Sequence, residues 1–99
     1  MLKITKNVEN STLTFSVDGR LDTITAPQLE TEIKDALDGV SQLVLNLEKL
    51  EYISSAGLRV LLSAQKKMNA QGKMKVINVQ KSVMDIFEIT GFADILTIE

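Results

Sequence analysis

Apolar residues alternate with polar ones in two runs near the start of the chain. The apolar positions within each run are two residues apart and comprise Leu2, Ile4, Leu13, Phe15 and Val17. This spacing is typical of half-buried strands, and the Asn, Glu and Ser residues within 7–11 favour a turn between the runs. The pattern therefore predicts a β-hairpin in a sheet that is covered mainly on one side, with Thr12, Thr14 and Ser16 facing water.

The next segment carries apolar residues at helical spacing and is predicted to form the first helix. Thr25 and Gln28 match a capping box, and Pro27 lies in the first turn, where its missing N–H costs little. Gly39 is placed to end this helix. The apolar stripe between these signals comprises Leu29, Ile33, Ala36, Leu37 and Val40.

Two short apolar runs, residues 42–47 and 74–79, have the length of buried strands. A second helix is predicted between them, with Gln65 on its exposed face and Gly72 at its end. Its buried stripe comprises Leu58, Leu61, Leu62 and Met68.

A third helix is predicted after the second of these strands. Ser82 is its expected N-cap, and Gly91 is placed to end it. Residues 95–98 are then predicted to add an edge strand. The apolar face of this helix comprises Val83, Ile86, Phe87 and Thr90.

The predicted order is strand, strand, helix, strand, helix, strand and helix, followed by the edge strand. Two consecutive βαβ units imply parallel neighbours joined by right-handed crossovers. The strands at 12–17, 43–47 and 74–79 should therefore be parallel neighbours, with both crossover helices on one face. The expected fold class is α/β: a single domain over residues 1–99, with a mixed, mostly parallel sheet packed in two layers with three or more helices.

Open α/β sheets bind ligands and partners at the carboxyl ends of their parallel strands. Two loops hold such positions, GRLDTIT at residues 19–25 and EYISSAG at residues 51–57. If the strands before them are adjacent, Asp22 should approach the pair formed by Ser54 and Ser55. From the residues alone, either serine is most simply a helix N-cap, and Asp22 is either a turn residue or a contact residue.

Composition narrows the functions open to this chain. Its 99 residues are 44% apolar and 24% charged, with a net charge of −2, which disfavours direct binding of nucleic acid. The absence of cysteine and histidine excludes disulfides, thiolate chemistry, Ser–His catalysis and imidazole metal sites from this chain alone. The sequence has no Gly-x-Ser-x-Gly elbow and no phosphate-binding glycine loop. We therefore expect no enzyme, no catalytic residue, no metal and no cofactor.

The sequence also bears on location. The first residues do not resemble a signal peptide, and no segment approaches the roughly 18 apolar residues that a membrane span requires. The expected location is therefore the cytoplasm, without a membrane partner.

Four motifs, in their order and spacing, resemble those of the STAS domain family. They are GRLDTITA at 19–26, LVLNL at 43–47, YISSAGLRVLL at 52–62 and TGF at 90–92. Over essentially its whole length the chain is similar to a stand-alone bacterial anti-sigma factor antagonist. The resemblance implies a STAS-like fold of the two-layer kind.

The resemblance also implies a switch. In proteins that this chain resembles, a partner that is both a serine kinase and an anti-sigma factor phosphorylates a serine at the start of the second helix. The matching acceptor is Ser55, and a serine phosphatase would act on the phosphorylated form. Unmodified, the antagonist binds the partner and frees a sigma factor, which regulates transcription indirectly by partner switching. The implied partner-binding residues are Asp22, Ser54, Ser55, Ala56, Gly57 and Arg59.

The chain departs from the family pattern at two positions. Ser54 stands where the family often has aspartate before the acceptor, and Arg59 stands where many relatives carry glycine. Because the resemblance assigns Ser55 as the acceptor, Ser54 is left as the expected cap. The first departure keeps an alternative function open. This alternative is a STAS module that docks constitutively in a signalling or secretion-control complex, without phosphorylation. An enzyme using Ser55 with a lysine or an aspartate is disfavoured, because no histidine and no elbow motif accompany the serine.

Overall fold

A computed structural model describes residues 2–99, which form five strands and four helices. The strands are β1 (Lys3–Glu9), β2 (Thr12–Leu21), β3 (Gln42–Asn46), β4 (Leu50–Ile53) and β5 (Lys73–Ile77). The helices are α1 (Ala26–Ala36), α2 (Ser55–Gln71), α3 (Lys81–Thr90) and α4 (Phe92–Ile95).

The predicted hairpin is confirmed. β1 pairs antiparallel with β2, from Lys3 opposite Asp18 to Glu9 opposite Thr12. Its turn is formed by Asn10 and Ser11, and Asn10 has φ 59°, a left-handed conformation that asparagine tolerates better than most residues.

The centre of the sheet is parallel, as the βαβ pattern predicts. The strand order is β1-β2-β3-β5, and β3 pairs in parallel with both β2 and β5. Leu43 lies opposite Leu13 on one side and opposite Met74 on the other. The predicted α/β class, a mixed sheet in two layers with helices, is therefore confirmed.

One strand was not predicted. Residues 51–53 belong to β4, which pairs in parallel with the end of β2, so their assignment to a loop is wrong. Leu50 and Ile53 are buried while the residues between them are not, and four residues are too few to display a period of two. The pairing of β2 with β4 shifts register after Gly19. The Gly19 N–H donates a hydrogen bond to Lys49 O at 3.0 Å. This short strand brings the end of β2 beside the start of α2.

The second helix buries most of the predicted stripe. Leu58, Leu61 and Met68 are buried in the core, but Leu62 is only partly buried. The prediction that Gln65 is exposed is wrong, since its exposed fraction is 7%. Its amide nitrogen donates to Asn69 Oδ1 at 2.9 Å, whereas its Oε1 is buried without a hydrogen-bond partner among the described residues.

Two predicted caps are wrong. Thr25 precedes α1 without a side-chain cap, because its hydroxyl instead donates to Arg20 O at 2.8 Å. α3 begins at Lys81 after Gln80, and the Ser82 hydroxyl donates to Glu51 O at 3.2 Å. Both hydroxyls therefore tie a helix start to the end of a neighbouring strand rather than to the helix's own N–H groups.

The ends of the helices follow the predicted glycines with one exception. α1 ends at Ala36, before Gly39, whereas Gly72 and Gly91 directly follow α2 and α3. Gly91 has φ 83°, a left-handed conformation that favours glycine at a helix end.

The predicted last strand, residues 95–98, is mostly wrong. Ile95 ends α4, and only a single parallel bridge joins Ile98 to Val76 on β5. Val76 N–H donates to Thr97 O at 2.8 Å, and Glu99 N–H donates to Val76 O at 2.9 Å. The chain thus pairs with β5 through two hydrogen bonds instead of a full strand.

Candidate functional site

The carboxyl ends of β2 and β4 lie side by side. Leu21 pairs with Ile53, and the Ser54 N–H donates to Leu21 O at 2.8 Å. Asp22 and Ser54 each directly follow one member of this pair. The topology therefore brings together the two loops that the sequence singled out, although β4 was not anticipated as the strand that does so.

Asp22 organises the loop between β2 and α1. Its Oδ1 accepts hydrogen bonds from the Ile24 N–H and the Thr25 N–H, both at 3.0 Å. Its own N–H donates to Thr25 Oγ1 at 2.9 Å, and its carbonyl accepts from the Ala26 N–H at 2.8 Å. The turn interpretation of Asp22 is therefore correct, and a contact role for the rest of its carboxylate stays a prediction.

These donors also set the charge of the loop. The Thr25 backbone N–H holds the pKa of Asp22 below its ordinary value of 3.8. The Thr25 hydroxyl, the Ile24 N–H and the positive charge of Arg20 act in the same direction, while partial desolvation opposes them. The carboxylate is therefore ionised at neutral pH and fixes a negative charge at this edge of the sheet.

We expect the Asp22 carboxyl to titrate below 3.8 when its chemical shift is followed by NMR across an acid titration. Because the folded pKa is depressed, the stability that this group contributes is present above 3.8 and is lost as the pH falls through the folded pKa. Asp22→Asn is the matched control, since it keeps the acceptor oxygen but has no carboxyl proton to bind. A wild-type pKa at or above 3.8, or the same acid-induced loss in Asp22→Asn, would contradict this expectation.

Ser54 caps α2, as the sequence favoured. Its backbone is extended, with φ −97° and ψ 177°, and its Oγ accepts from the Gly57 N–H at 3.4 Å. The Leu58 N–H closes the first turn on Ser54 O at 2.9 Å. Ser55 is consequently the first residue of the helix, and it is exposed.

Gly57 is explained by packing inside the domain. A Cβ at this position would lie 2.8 Å from Ile53 Cγ1 and 2.9 Å from Leu21 Cγ, closer than real Cβ contacts allow. Glycine therefore lets the first turn of α2 rest on the ends of β2 and β4. Ala56 beside it is partly buried, whereas Arg59 is exposed four residues after Ser55.

Two features of this edge were not predicted. Ile24 lies in the loop that Asp22 organises, and its exposed fraction is 87%. Arg20 Cζ lies 4.4 Å from the centroid of the Tyr52 ring, a cation–π contact between the ends of β2 and β4. The presence of isoleucine among the polar residues of GRLDTIT was the available sequence cue for the first. The second depends on β4, so no local pattern could indicate it.

The chemistry of this edge suits recognition and modification. It offers a carboxylate, two hydroxyls and exposed cationic and apolar side chains. Across residues 2–99, no three acidic side chains gather in a group that could hold a metal ion. Nor does any helix in this described part of the chain combine the length and the apolar character needed to cross a bilayer.

The chain is similar to known proteins over almost its whole length. The STAS domain family model matches residues 3–99. BtrV of Bordetella bronchiseptica, named as a candidate anti-sigma factor antagonist, is 35% identical over 99 residues, covering 98% of this chain and 85% of BtrV. The anti-sigma-B factor antagonist of Staphylococcus aureus is 30% identical over 97 residues, covering 96% of this chain and 90% of that protein.

Solved structures share the same fold. An anti-sigma factor antagonist from Mycobacterium paratuberculosis superposes with a TM-score of 0.89 at 23% identity, covering 99% of this chain and 85% of that one. The Bacillus cell fate determinant SpoIIAA in its phosphorylated form gives a TM-score of 0.75 at 20% identity, covering 100% of this chain and 91% of that one.

Proposed function

The chain belongs to the STAS domain family, and from this premise we propose that it is a cytoplasmic anti-sigma factor antagonist switched off by phosphorylation of Ser55. Its partner would be a serine kinase that is also an anti-sigma factor, and a serine phosphatase would restore the binding form. The observation that carries the proposal is the position of Ser55, which is exposed as the first residue of α2. The curated relatives named as anti-sigma factor antagonists support it.

The N-terminus of α2 can accept a phosphate without unfolding. The first N–H groups of a helix point outward, and the helix dipole favours negative charge there. Ser54, rather than Ser55, provides the cap through its bond with the Gly57 N–H. Modification of Ser55 therefore removes no hydrogen bond on which the start of the helix depends.

The same phosphate would oppose binding. It adds a charge of about −1.5 to −2 at neutral pH, at an edge that already carries the ionised Asp22. Glu51 on β4 and Glu48 before it are exposed and add negative charge nearby in the chain. Burying the phosphate together with Asp22 against a partner would require extensive desolvation, which weakens the complex.

Arg59 supports the switch from within the chain. It lies four residues after Ser55 in α2, which places both side chains on one face of the helix. Arginine and phosphate form strong charge-assisted hydrogen bonds. A phosphate on Ser55 would thus draw Arg59 away from the partner while stabilising the first turns of the helix.

A second candidate function rests on Ser54. This residue caps α2 at the position where the family often has aspartate before the acceptor serine. A kinase that reads that aspartate would not recognise this site. The chain would then be a constitutive docking module, and Ser55 would contact the partner without being modified.

The decisive experiment titrates wild type, Ser55→Ala and Ser55→Asp against the purified anti-sigma kinase of the source organism, using calorimetry. Ser55→Ala should bind as wild type does but should not be released by ATP. Ser55→Asp should bind at least about tenfold more weakly, about 1.4 kcal/mol, because its carboxylate loses its hydration against the partner. Both variants should fold, since an acidic residue suits the first turn of a helix.

Ser63→Asp is the matched control, because it places the same charge on an exposed serine of the same helix two turns further on. Its affinity should equal that of wild type. Equal affinities for wild type, Ser55→Ala and Ser55→Asp, or phosphate found by mass spectrometry only on Ser54, would refute the switch. Binding without release by ATP would instead favour the docking module.

A further inference from the structure

Ile24 is the exposed apolar side chain at the edge that carries Ser55. With 87% of its surface exposed, it gains almost nothing from the domain's own core. We infer that Ile24 is an apolar anchor that inserts into a pocket of the anti-sigma kinase beside the phosphorylation site. This inference rests on the proposed function and names a contact within the same complex.

The loop presents Ile24 in a fixed conformation. Asp22 Oδ1 holds the Ile24 N–H and the Thr25 N–H at 3.0 Å each, so the backbone is bound on the residue itself and on its neighbour. The Ala26 N–H closes the turn on Asp22 O at 2.8 Å. A residue whose backbone is already held before binding loses less conformational entropy on docking than one in an unrestrained loop.

Ile24 and Ser55 also fit within one interface. Leu21 pairs with Ile53, Ile24 follows Leu21 by three residues, and Ser55 follows Ile53 by two. At about 3.8 Å per residue and about 4.8 Å between strands, their Cα atoms are at most about 24 Å apart. A standard interface covers about 800 Å² of each partner, a patch about 30 Å across. A partner that covers Ser55 can therefore cover Ile24.

The charges around this loop indicate the chemistry of the pocket. Asp22 is ionised beside Ile24, and the guanidinium of Arg20 lies over the Tyr52 ring. A complementary surface therefore offers an apolar pocket with a cationic side chain at its rim, which would meet the carboxylate of Asp22. Such an arrangement, an apolar centre with a polar rim, is typical of specific protein interfaces.

Ile89 provides the matched control. It is the same residue type, its exposed fraction is 86%, and it lies in α3 rather than in the loop that Asp22 organises. α3 begins after β5, at the same edge of the sheet as Ser55, and Ile89 lies eight residues beyond Lys81. At about 1.5 Å per residue, this is about 12 Å along the helix axis away from that edge.

The test titrates wild type, Ile24→Ala, Ile24→Leu and Ile89→Ala against the purified anti-sigma kinase that binds the wild-type protein. Ile24→Ala should weaken binding at least about tenfold, Ile24→Leu should restore most of the affinity, and Ile89→Ala should bind as wild type does. Urea unfolding of all four proteins should give the same midpoint, since both isoleucines lie outside the core.

The outcomes separate this inference from the proposed function. If Ser55→Asp weakens binding while Ile24→Ala binds as wild type does, the inference is overturned and the switch stands. Equal losses of affinity in Ile24→Ala and Ile89→Ala also overturn it. Exposed isoleucines would then contribute to binding wherever they lie on the surface. If the wild-type protein binds no anti-sigma kinase, the proposed function fails and the inference fails with it.

Discussion

Replacing Leu61 with alanine should lower the free energy of unfolding by about 2–5 kcal/mol. Leu61 is fully buried in α2, with an exposed fraction of 0%, and it belongs to the single core shared by the helices and the sheet. Removing its side chain loses the transfer energy of the deleted carbons and leaves a cavity, which rigid strands cannot fill completely. Urea denaturation of both proteins measures the difference.

Leu62→Ala is the matched control for this change. Leu62 is the next residue of the same helix, has the same side chain and is only partly buried. Its truncation should cost clearly less than that of Leu61. A loss below about 1 kcal/mol in Leu61→Ala, or equal losses at the two positions, would mean that the buried face of α2 is misplaced.

Replacing Gly72 with alanine should lower the free energy of unfolding by about 3 kcal/mol, at the upper end of the range for overpacked sites. A Cβ on Gly72 would overlap Ser41 O and lie 2.7 Å from Ser41 C, both backbone atoms. Ser41 O also accepts a hydrogen bond from the Lys73 N–H at 3.0 Å, which links the start of β5 to the start of β3. The backbone at Ser41 therefore cannot move away from the new Cβ without breaking the hydrogen bond from the Lys73 N–H.

Gly39→Ala is the matched control, because it replaces a glycine at a position where the new Cβ overlaps no other atom. Gly39 has φ 77° and no atom within 4 Å of the position that its Cβ would take. Its replacement should cost only the strain of a left-handed conformation, about 1 kcal/mol. Thermal and urea unfolding of the two variants give the comparison, and a Gly72→Ala protein no less stable than Gly39→Ala would contradict the expectation.

Periodic segments of the chain could be predicted from sequence because their burial is one-sided. Leu13, Phe15 and Val17 point to the core and their neighbours do not, so the period of two is visible in the order of the amino acids. β4 shows no such period of two in its sequence. Its existence depends on pairing with the end of β2 across a register shift, which is a tertiary property.

Side-chain hydrogen bonds were less predictable than packing. Thr25 and Ser82 both stand near a helix start, and both have a hydroxyl suited to capping. The structure gives their hydrogen bonds to carbonyls of β2 and β4 instead. Local sequence indicates which groups are able to donate, but the choice of acceptor depends on which strand end the fold brings near.

The candidate site was predictable in part for the same reasons. Local chemistry allowed either serine as the cap and allowed a turn role for Asp22, and the structure shows that Ser54 is the cap and that Asp22 organises the turn. The exposure of Ile24 had one cue in the sequence, an isoleucine among the polar residues of GRLDTIT, but this cue does not show whether the side chain packs inward or faces water. In the structure, hydrogen bonds to Asp22 Oδ1 hold the backbone of this loop, and the Ile24 side chain lies outside the core.

The short pairing of the last described residues with β5 has a consequence for self-association. An open sheet has two outer strands whose unpaired N–H and C=O groups can recruit another chain, which is a common route to aggregation. On the β5 side, hydrogen bonds from Val76 to Thr97 and from Glu99 to Val76 occupy part of this margin. On the β1 side, Lys3, Lys6 and Glu9 place charged side chains along the outer strand, and charged residues on an edge strand disfavour pairing with another chain. The two margins therefore differ in what limits pairing with another chain: hydrogen bonds within the chain on the β5 side and charged side chains on the β1 side.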